Sequence, residues 1–247
     1  TAVLALELTL GVAPAPAGLA AAPAPRAPAE SSELAAQLKA GKLGFQRLVV
    51  IQRQVLNPTH VYTYHQEGFS AGGGLFVYDL AEGKLHRLVD AGSGQIIDCD
   101  PSYDARTLLF SWRKAGNDVY QIHSLAIDPA TGLAAGEPKA LTQGPHYNYN
   151  ACWLPDGGIA FLSTRKSQFA YCWTSPVGIL HRMNTDGTDQ RKISANYLND
   201  FTPSVTNDGR IIYGRWEYVD RPAIPIQSLW TINPDGTALR VYYGNRV

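Results

Sequence analysis

One segment of the sequence occurs three times at a constant interval. Each copy is a short polar stretch, a turn containing Asp, and a run of apolar residues; the copies occupy residues 99–111, 151–163 and 203–214. Their turn aspartates are Asp104, Asp156 and Asp208, which follow one another at steps of 52 residues. Self-similarity with a period of tens of residues is typical of propellers and solenoids. The chain is therefore expected to consist of repeated supersecondary units.

A second landmark lies between these turns, where a strand, a polar turn and another strand recur in each unit. Asp-Gly pairs stand at 156–157, 186–187, 208–209 and 235–236. Two-residue hairpin turns need positive φ angles, which Gly adopts without steric cost. Four antiparallel strands in about 50 residues form one propeller blade. The sequence predicts an all-β fold, a partial β-propeller of about four four-stranded blades, near residues 43–90, 94–142, 146–194 and 197–247.

Four blades are the low end for a closed ring. Two alternatives follow: a larger ring whose other blades come after Val247, or a complete four-bladed propeller. The first is favoured, because the last unit stops abruptly.

The first 42 residues differ from the rest. Residues 1–32 combine an apolar run, similar to the core of a secretory signal, with an Ala/Pro-rich linker, and residues 33–42 have the spacing of one short helix. An Ala-rich tail is the alternative for the start. With a signal, the chain is exported to the periplasm or an equivalent compartment, and residues 43–247 are the propeller domain, truncated at its C-terminus. No later run reaches the roughly 18 apolar residues of a membrane span.

The charges argue against two classes of partner. Lys and Arg number 21, and Asp and Glu also number 21. A protein that grips nucleic acid or an anionic membrane surface carries a basic excess. Neither is expected as a partner.

The turn pattern of residues 153–163, with residues 183–188 and 191–194, resembles the blades of TolB-type propellers. That resemblance implies a fold found in bacterial envelope proteins and in the propeller domains of some peptidases. No Gly-x-Ser-x-Gly motif supports a hydrolase.

A second resemblance covers residues 53–247. The segments that carry it are 53–68, 94–100, 170–178, 196–204 and 214–221. They are similar to the propeller middle domain of hydrazine synthase alpha subunits and related planctomycete proteins. The resemblance implies an exported propeller attached to a c-type haem region, in a complex that joins nitric oxide and ammonium. This sequence has no Cys-x-x-Cys-His, so no residue here is expected to attach haem.

The function expected from these observations is an exported, non-catalytic binding or scaffold module. It would support an adjoining redox domain or protein partner, or bind a metal or small polar ligand at the channel mouth. The alternatives are a fragment of a metal- or haem-dependent redox enzyme of hydrazine-synthase type, and the propeller of a TolB-like or peptidase-associated protein.

The repeat places two cysteines at nearly equivalent positions. Cys99 and Cys152 stand five and four residues before their turn aspartates. With Asp100 and His146 they form a candidate site for zinc or another transition metal, because thiolate, imidazole and carboxylate suit such ions. The favoured alternative is that both cysteines are small buried hydrophobes. A disulfide between them is a third.

Further polar residues are candidates for ligand binding at the blade starts and loops. They are His60, His65, Glu67, Asn150, Asp200 and Glu217. His65 and Glu67 are predicted to share one strand face, where a His–carboxylate pair can act as an acid and a base. The alternative for His65 is an ordinary hydrogen-bonded histidine in a wide loop. The alternative for Glu217 is a solvated ion pair with Arg221.

Overall fold

The computed structural model describes residues 3–9, 32–42, 44–171, 174–218 and 227–244. Most of the Ala/Pro-rich linker, Cys172 and Arg221 lie outside the described residues. The helix α1 spans Ser32–Lys39. The strands are β1 Val3–Thr9, β2 Arg47–Arg53, β3 Gly74–Asp79, β4 Lys84–Asp90, β5 Gln95–Pro101, β6 Thr107–Arg113, β7 Gln121–Ala126, β8 Lys139–Ala140, β9 Asn148–Trp153, β10 Ile159–Ser163, β11 Ile179–Met183, β12 Arg191–Lys192, β13 Asp200–Val205, β14 Ile211–Trp216, β15 Gln227–Ile232 and β16 Arg240–Tyr243.

The strands of the described residues form four sheets of four strands, each in chain order. We call β1–β4 the first blade, β5–β8 the second, β9–β12 the third and β13–β16 the fourth. Pairing is antiparallel throughout, except that β1 pairs with β2 in parallel. The blades pack in chain order, the first on the second, the second on the third and the third on the fourth. The predicted all-β propeller of about four blades is confirmed.

The middle strands of the blades are the continuous apolar runs of the sequence. Both faces of such a strand are covered by neighbouring blades, so nearly every residue in it is buried. All five residues of β10 are buried, and β6 has five buried residues out of seven. Short continuous apolar runs bounded by turns are typical of such strands. The outermost strands β8, β12 and β16 are exposed at every position. Burial therefore falls from the middle of each sheet to its outer edge.

The hairpin turns follow the predicted chemistry. Gly157, Gly187, Gly209 and Gly236 all have positive φ, between 82° and 91°. In the second blade the equivalent turn position is Ala105, which adopts a φ of 55° without Gly. The turn geometry repeats with the period even where the residue type does not.

The first strand of the second, third and fourth blades has an irregular register near one repeat position. In β5 the register shifts between Ile96 and Asp98, and in β13 it shifts between Phe201 and Ser204. In β9 it shifts at the position that faces Phe161 of β10. The backbone has positive φ at Asn150 (49°) and Thr202 (39°). Bulges of this kind re-aim side chains. They supply the geometry of the site described below.

A 20-residue connection, residues 54–73, joins β2 to β3; we call it the strap. It leaves the first blade at the end where β6, β10 and β14 finish and β5, β9 and β13 begin, which we call the loop end. Strap residues contact side chains of all three other blades there. The strap thus crosses the loop end of the arc.

Candidate functional site

The strap holds its shape through hydrogen bonds to one carboxylate. Glu67 Oε2 accepts from the Thr59 amide (2.9 Å), the Thr59 hydroxyl (2.5 Å) and the Thr63 hydroxyl (2.8 Å). The amides of Gln66 and Glu67 both donate to the Thr63 carbonyl at 2.8 Å. Glu67 is therefore a structural residue of the loop. The segment is a turn rather than a strand, so the predicted shared strand face of His65 and Glu67 is wrong.

Close backbone packing fixes the end of this turn. Gly68 has a φ of 73°, and a Cβ there would meet the Asn57 amide nitrogen at 2.6 Å. Only Gly avoids both problems. Beyond it, the Arg113 guanidinium of the second blade donates to the Gln66 carbonyl at 3.3 Å and lies 4.6 Å over the Phe69 ring.

A buried carboxylate joins the second and third blades at the loop end. Asp98 Oδ1 accepts from the Ser111 amide (3.1 Å) and hydroxyl (2.7 Å). Asp98 Oδ2 accepts from the Asn150 amide (2.9 Å) and side-chain nitrogen (3.0 Å). The hydroxyl of Tyr64, on the strap, donates to Asn150 Oδ1. Three blades thus share one hydrogen-bond network, which we call the clamp: Tyr64, Asp98, Ser111 and Asn150.

The positive φ of Asn150 makes this network possible, because it turns both the amide and the side chain of that residue towards the second blade. Asn adopts this left-handed conformation more readily than most residues. Sequence reasoning selected Asn150 as a ligand-binding residue, and the structure places it in the clamp. Asp98 was not a candidate. Asp98 stands 52 residues before Asn150, at the equivalent repeat position, and this spacing could have identified it as a candidate.

His65, a residue of the strap, has a fully buried side chain. Its ring stacks on Tyr149 at 4.8 Å and 7°, and meets Tyr147 edge-on at 5.1 Å. Within the described part of the chain, neither ring nitrogen reaches a partner with full hydrogen-bond geometry, although the Pro176 carbonyl lies nearby. Burial lowers the pKa of His65 to about 4, and the nearby Pro176 carbonyl and Glu67 offset only part of that effect. The imidazole is therefore neutral at pH 7.

The two candidate cysteines lie in different parts of the core. Cys99 packs against the apolar cluster of the first and second blades, and Cys152 belongs to the cluster of the second, third and fourth. They are not joined by a disulfide. Burial raises the pKa of the Cys152 thiol far above its usual range. Equivalent repeat positions belong to successive blades, and here that separates the two thiols.

The other two candidate metal ligands do not complete a set. Asp100 Oδ2 accepts from the Trp153 amide at 2.8 Å, and burial raises the pKa of Asp100 to about 6. His146 is half-buried, and its carbonyl accepts from Gln121 and Asn148. Within the described ranges, no three His, Cys, Asp or Glu side chains come close enough to hold a metal ion. The predicted four-ligand site of Cys99, Asp100, His146 and Cys152 is therefore not assembled.

Asp200 is buried where the third and fourth blades meet. Its Oδ1 accepts from Asn196 Nδ2 (2.9 Å) and its Oδ2 from the Leu180 amide (3.0 Å). Burial raises the pKa of Asp200 to about 6, against these hydrogen bonds. Asp98, Asp100 and Asp200 thus share a role in joining blades.

A cavity of about 230 Å³ opens at the loop end between the third and fourth blades. Its lining consists of Ala195, Asn196, Tyr197, Leu198, Arg215, Trp216, Glu217 and Tyr218. Glu217 forms an ion pair with Arg215 at 3.3 Å, with both side chains largely buried. Glu217, which was predicted to bind a ligand, therefore lies on the wall of this cavity. Arg221 lies outside the described residues, so the alternative of a solvated ion pair between Arg221 and Glu217 stays a prediction.

Aromatic rings connect the strap to this cavity. Tyr62 stacks on Trp216 at 4.7 Å, and Trp216 stacks on Tyr218 at 6.1 Å. His60 stands at the far end, with its ring 5.2 Å from that of Tyr62. Tyr171 and Tyr197 continue the series on the surface, 5.1 Å apart, each with about half of its area exposed. Sequence reasoning missed this series, since its members come from four separate segments.

Comparison with known proteins places the fold. No protein-family model matches the sequence, and no curated protein does. Solved structures do match. A putative TolB from Agrobacterium tumefaciens is 17% identical with a TM-score of 0.52, over 68% of this chain and 56% of that one. Kuenenia stuttgartiensis hydrazine synthase is 16% identical with a TM-score of 0.56, over 71% and 28%. A puromycin hydrolase is 14% identical with a TM-score of 0.53, over 70% and 26%.

These identities establish the fold alone. The chain spans 56% or less of the length of each of these structures. Both families that the sequence resembles are among the structural matches, which confirms the resemblance at the level of a β-propeller. Within the described part of the chain, no helix is long and apolar enough to span a membrane.

Proposed function

We propose that this propeller is an exported, non-catalytic binding module that takes a small polar ligand at its loop end, beside an adjoining redox domain or protein partner. The observation that carries the proposal is the 230 Å³ cavity between the third and fourth blades. It combines aromatic walls with an Arg–Glu pair, the mixture found in small-molecule sites.

The state of the polar groups supports binding rather than catalysis. Glu67, Asp98 and Asp200 accept two or more hydrogen bonds each from groups of the protein itself. Burial also lowers the pKa values of His65, His123 and His181 to about 4. A general base works best with a pKa near the operating pH. These groups hold the scaffold together.

Thermal-shift measurements with a set of small polar compounds test the proposal. The set comprises neutral sugars, amino acids, dicarboxylates and nucleosides. We expect one class to raise the Tm of the whole chain, because a ligand that binds only the folded state stabilises it. Mass spectrometry should recover that compound unchanged.

The exposed Ala195 offers a variant that fills the cavity without altering the core. Ala195→Trp should abolish the shift, and Ala130→Trp, at an exposed turn of the second blade, should retain it. The proposal is contradicted if no class raises the Tm, if the ligand is consumed, or if Ala195→Trp still responds.

A further inference from the structure

A second cavity, of about 260 Å³, lies on the second blade; we call it the second-blade cavity. Its walls come from the end of β6, the start of β7 and the residues around the end of β8. It shares no lining residue with the cavity between the third and fourth blades. The two cavities are therefore separate sites.

Two aromatic rings form adjoining walls of the second-blade cavity. The ring centroids of Trp112 and His123 are 5.4 Å apart, and the ring planes meet at 57°. The ammonium group of the exposed Lys114 lies 4.9 Å over the Trp112 ring. A cation in this position also attracts the π face of a further ring. A ligand that touches Trp112 is thus within reach of both His123 and Lys114.

His123 offers this cavity a hydrogen-bond acceptor. Its Nδ1 lies 3.0 Å from the Gln121 carbonyl, which only accepts, so Nδ1 carries the hydrogen. Burial lowers the pKa of His123 to about 4, which leaves Nε2 with a lone pair at pH 7. The His123 side chain is 3% exposed, and its Nε2 has no hydrogen-bond partner among the described residues. Unlike the ring nitrogens of His65, Nε2 is not sealed from solvent.

The other buried polar groups of the lining are already bonded. Gln121 Oε1 accepts from the Thr142 hydroxyl (2.7 Å) and from the Asn148 side-chain nitrogen (2.9 Å). Gln121 Nε2 donates to the carbonyls of Gly144 (2.9 Å) and His146 (3.1 Å). His123 Nε2 is therefore the buried acceptor that a ligand can satisfy.

The third blade shows that the repeat alone does not produce this arrangement. His181 is the equivalent histidine there, paired across the sheet in the same way. Beside it, Ser163 takes the place of Trp112. Arg165 lies close by, and its guanidinium donates to Ser163 Oγ (2.9 Å) and Asn148 Oδ1 (3.0 Å). The aromatic wall next to the histidine thus distinguishes the second blade from the third.

The walls and the acceptor together define a ligand class. A flat ring packs well on an indole, and a donor at its edge pairs with a buried acceptor that would otherwise lose its hydrogen bond. Lys114 and Asp118, the charged residues of the lining, have opposite signs, so net charge does not select the ligand. The volume is below the roughly 300 Å³ at which pockets begin to hold drug-sized molecules, which limits the ligand to one or two fused rings.

We infer that the second-blade cavity binds a small aromatic ring that carries a hydrogen-bond donor, packed against Trp112 and donating to His123 Nε2. The donor is a ring N–H or a phenolic O–H. The inference goes beyond the proposed function, because it concerns a different cavity and a different ligand.

NMR titration of the whole chain with two matched pairs of probes tests the assignment. The pairs are indole with N-methylindole, and phenol with anisole. In at least one pair the donor compound should bind about fivefold more tightly than its methylated partner, the effect of one hydrogen bond. Methylation makes each probe more apolar, so hydrophobic binding alone gives the opposite preference. The pair that responds tells an N–H heterocycle from a phenol.

Two variants locate the binding. His123→Phe keeps a ring and removes Nε2, so the preference for the donor compound should disappear. Ala140→Trp, at an exposed lining position on β8, should fill the cavity and abolish binding. The matched control is Ala130→Trp, at an exposed turn of the same blade, which should bind as the unaltered chain does. The NMR spectrum of each variant also shows whether it is folded.

The outcomes separate this inference from the proposed function. The assignment is overturned if no probe binds, if the methylated probes bind as tightly as their partners, or if Ala140→Trp or His123→Phe leaves the result unchanged. Ala195→Trp should not affect the probes. Nucleosides and aromatic amino acids of the wider set carry the same kind of donor, so their effect on the Tm is assigned by measuring it in Ala140→Trp and Ala195→Trp.

Discussion

Replacing Asp98 by alanine is expected to lower the free energy of unfolding by about 3–5 kcal/mol, the range for removing one partner from a buried charged network. Four donors, two from Ser111 and two from Asn150, lose their acceptor in the variant. Two of them belong to the neighbouring blade, so packing between blades suffers as well. Urea denaturation at pH 7 measures the loss.

Asp98→Asn keeps the shape of the side chain and removes its negative charge. The amide keeps one acceptor oxygen, but its nitrogen faces two donors. We expect a loss of about 2 kcal/mol or more from this variant too. Asp118→Ala, at an exposed position of the second blade, is the control and should change stability by less than about 0.5 kcal/mol. A small effect at Asp98 would mean that the clamp does not join the blades.

His65 should show opposite effects with two substitutions. His65→Ala removes the ring stacked on Tyr149 and should cost about 3 kcal/mol, as large-to-small changes in cores do. His65→Phe keeps a ring and removes two buried nitrogens that have no hydrogen-bond partner among the described residues. It should therefore stabilise the chain by about 1 kcal/mol at pH 7.

The gain from His65→Phe should increase in acid. The folded-state pKa of His65 is about 4, below the ordinary value of 6.5. The unfolded chain takes up a proton below pH 6.5 that the folded chain refuses, so wild-type stability falls as the pH drops from 6.5 towards 4. The variant lacks this loss. Denaturation curves at pH 7 and pH 4.5 measure the difference, with His86→Phe, on β4, as the control. A gain that shrinks in acid would contradict the burial of His65.

The sequence was sufficient for the blades because their signals are local and periodic. The Asp-Gly turns at 156–157 and 208–209 and the apolar run of β10 act within a few residues of themselves. Repetition at 52 residues then placed each unit beside the next. These features predicted the fold class and the repeated units, but not β1, which comes from residues 3–9 and pairs in parallel with β2.

The candidate site was harder to predict, because it depends on contacts between blades. Cys99 and Cys152 have equivalent places in successive units, and that equivalence suggested convergence. In the structure they lie in separate apolar clusters. The irregular register of β9 near Asn150 follows from pairing across the sheet, which no local pattern reports.

The conformation of the strap was the largest feature that the sequence did not predict. Residues 60–68 alternate as a strand would, yet they form a turn around Glu67. The contacts of Tyr62, Tyr64 and His65 with other blades involve partners about 80 to 150 residues away along the chain. Strap, cavity and clamp together include segments that carry the resemblance to hydrazine synthase alpha subunits, namely 53–68, 196–204 and 214–221. The described residues of those segments are dispersed in sequence and meet at the loop end.

The strap joins the blades at the loop end only if it is bonded across the ends of the other blades. A double-mutant cycle between Tyr64 of the strap and Asn150 of the third blade tests this directly, because the cycle isolates the energy of their interaction. Tyr64→Phe removes only the hydroxyl, and Asn150→Gly removes the side chain while tolerating the φ of 49°. The loss of the Asp98 bonds occurs in both arms and cancels. We predict a coupling energy of about 1 kcal/mol from urea denaturation. Additive effects, within about 0.3 kcal/mol, would contradict the account.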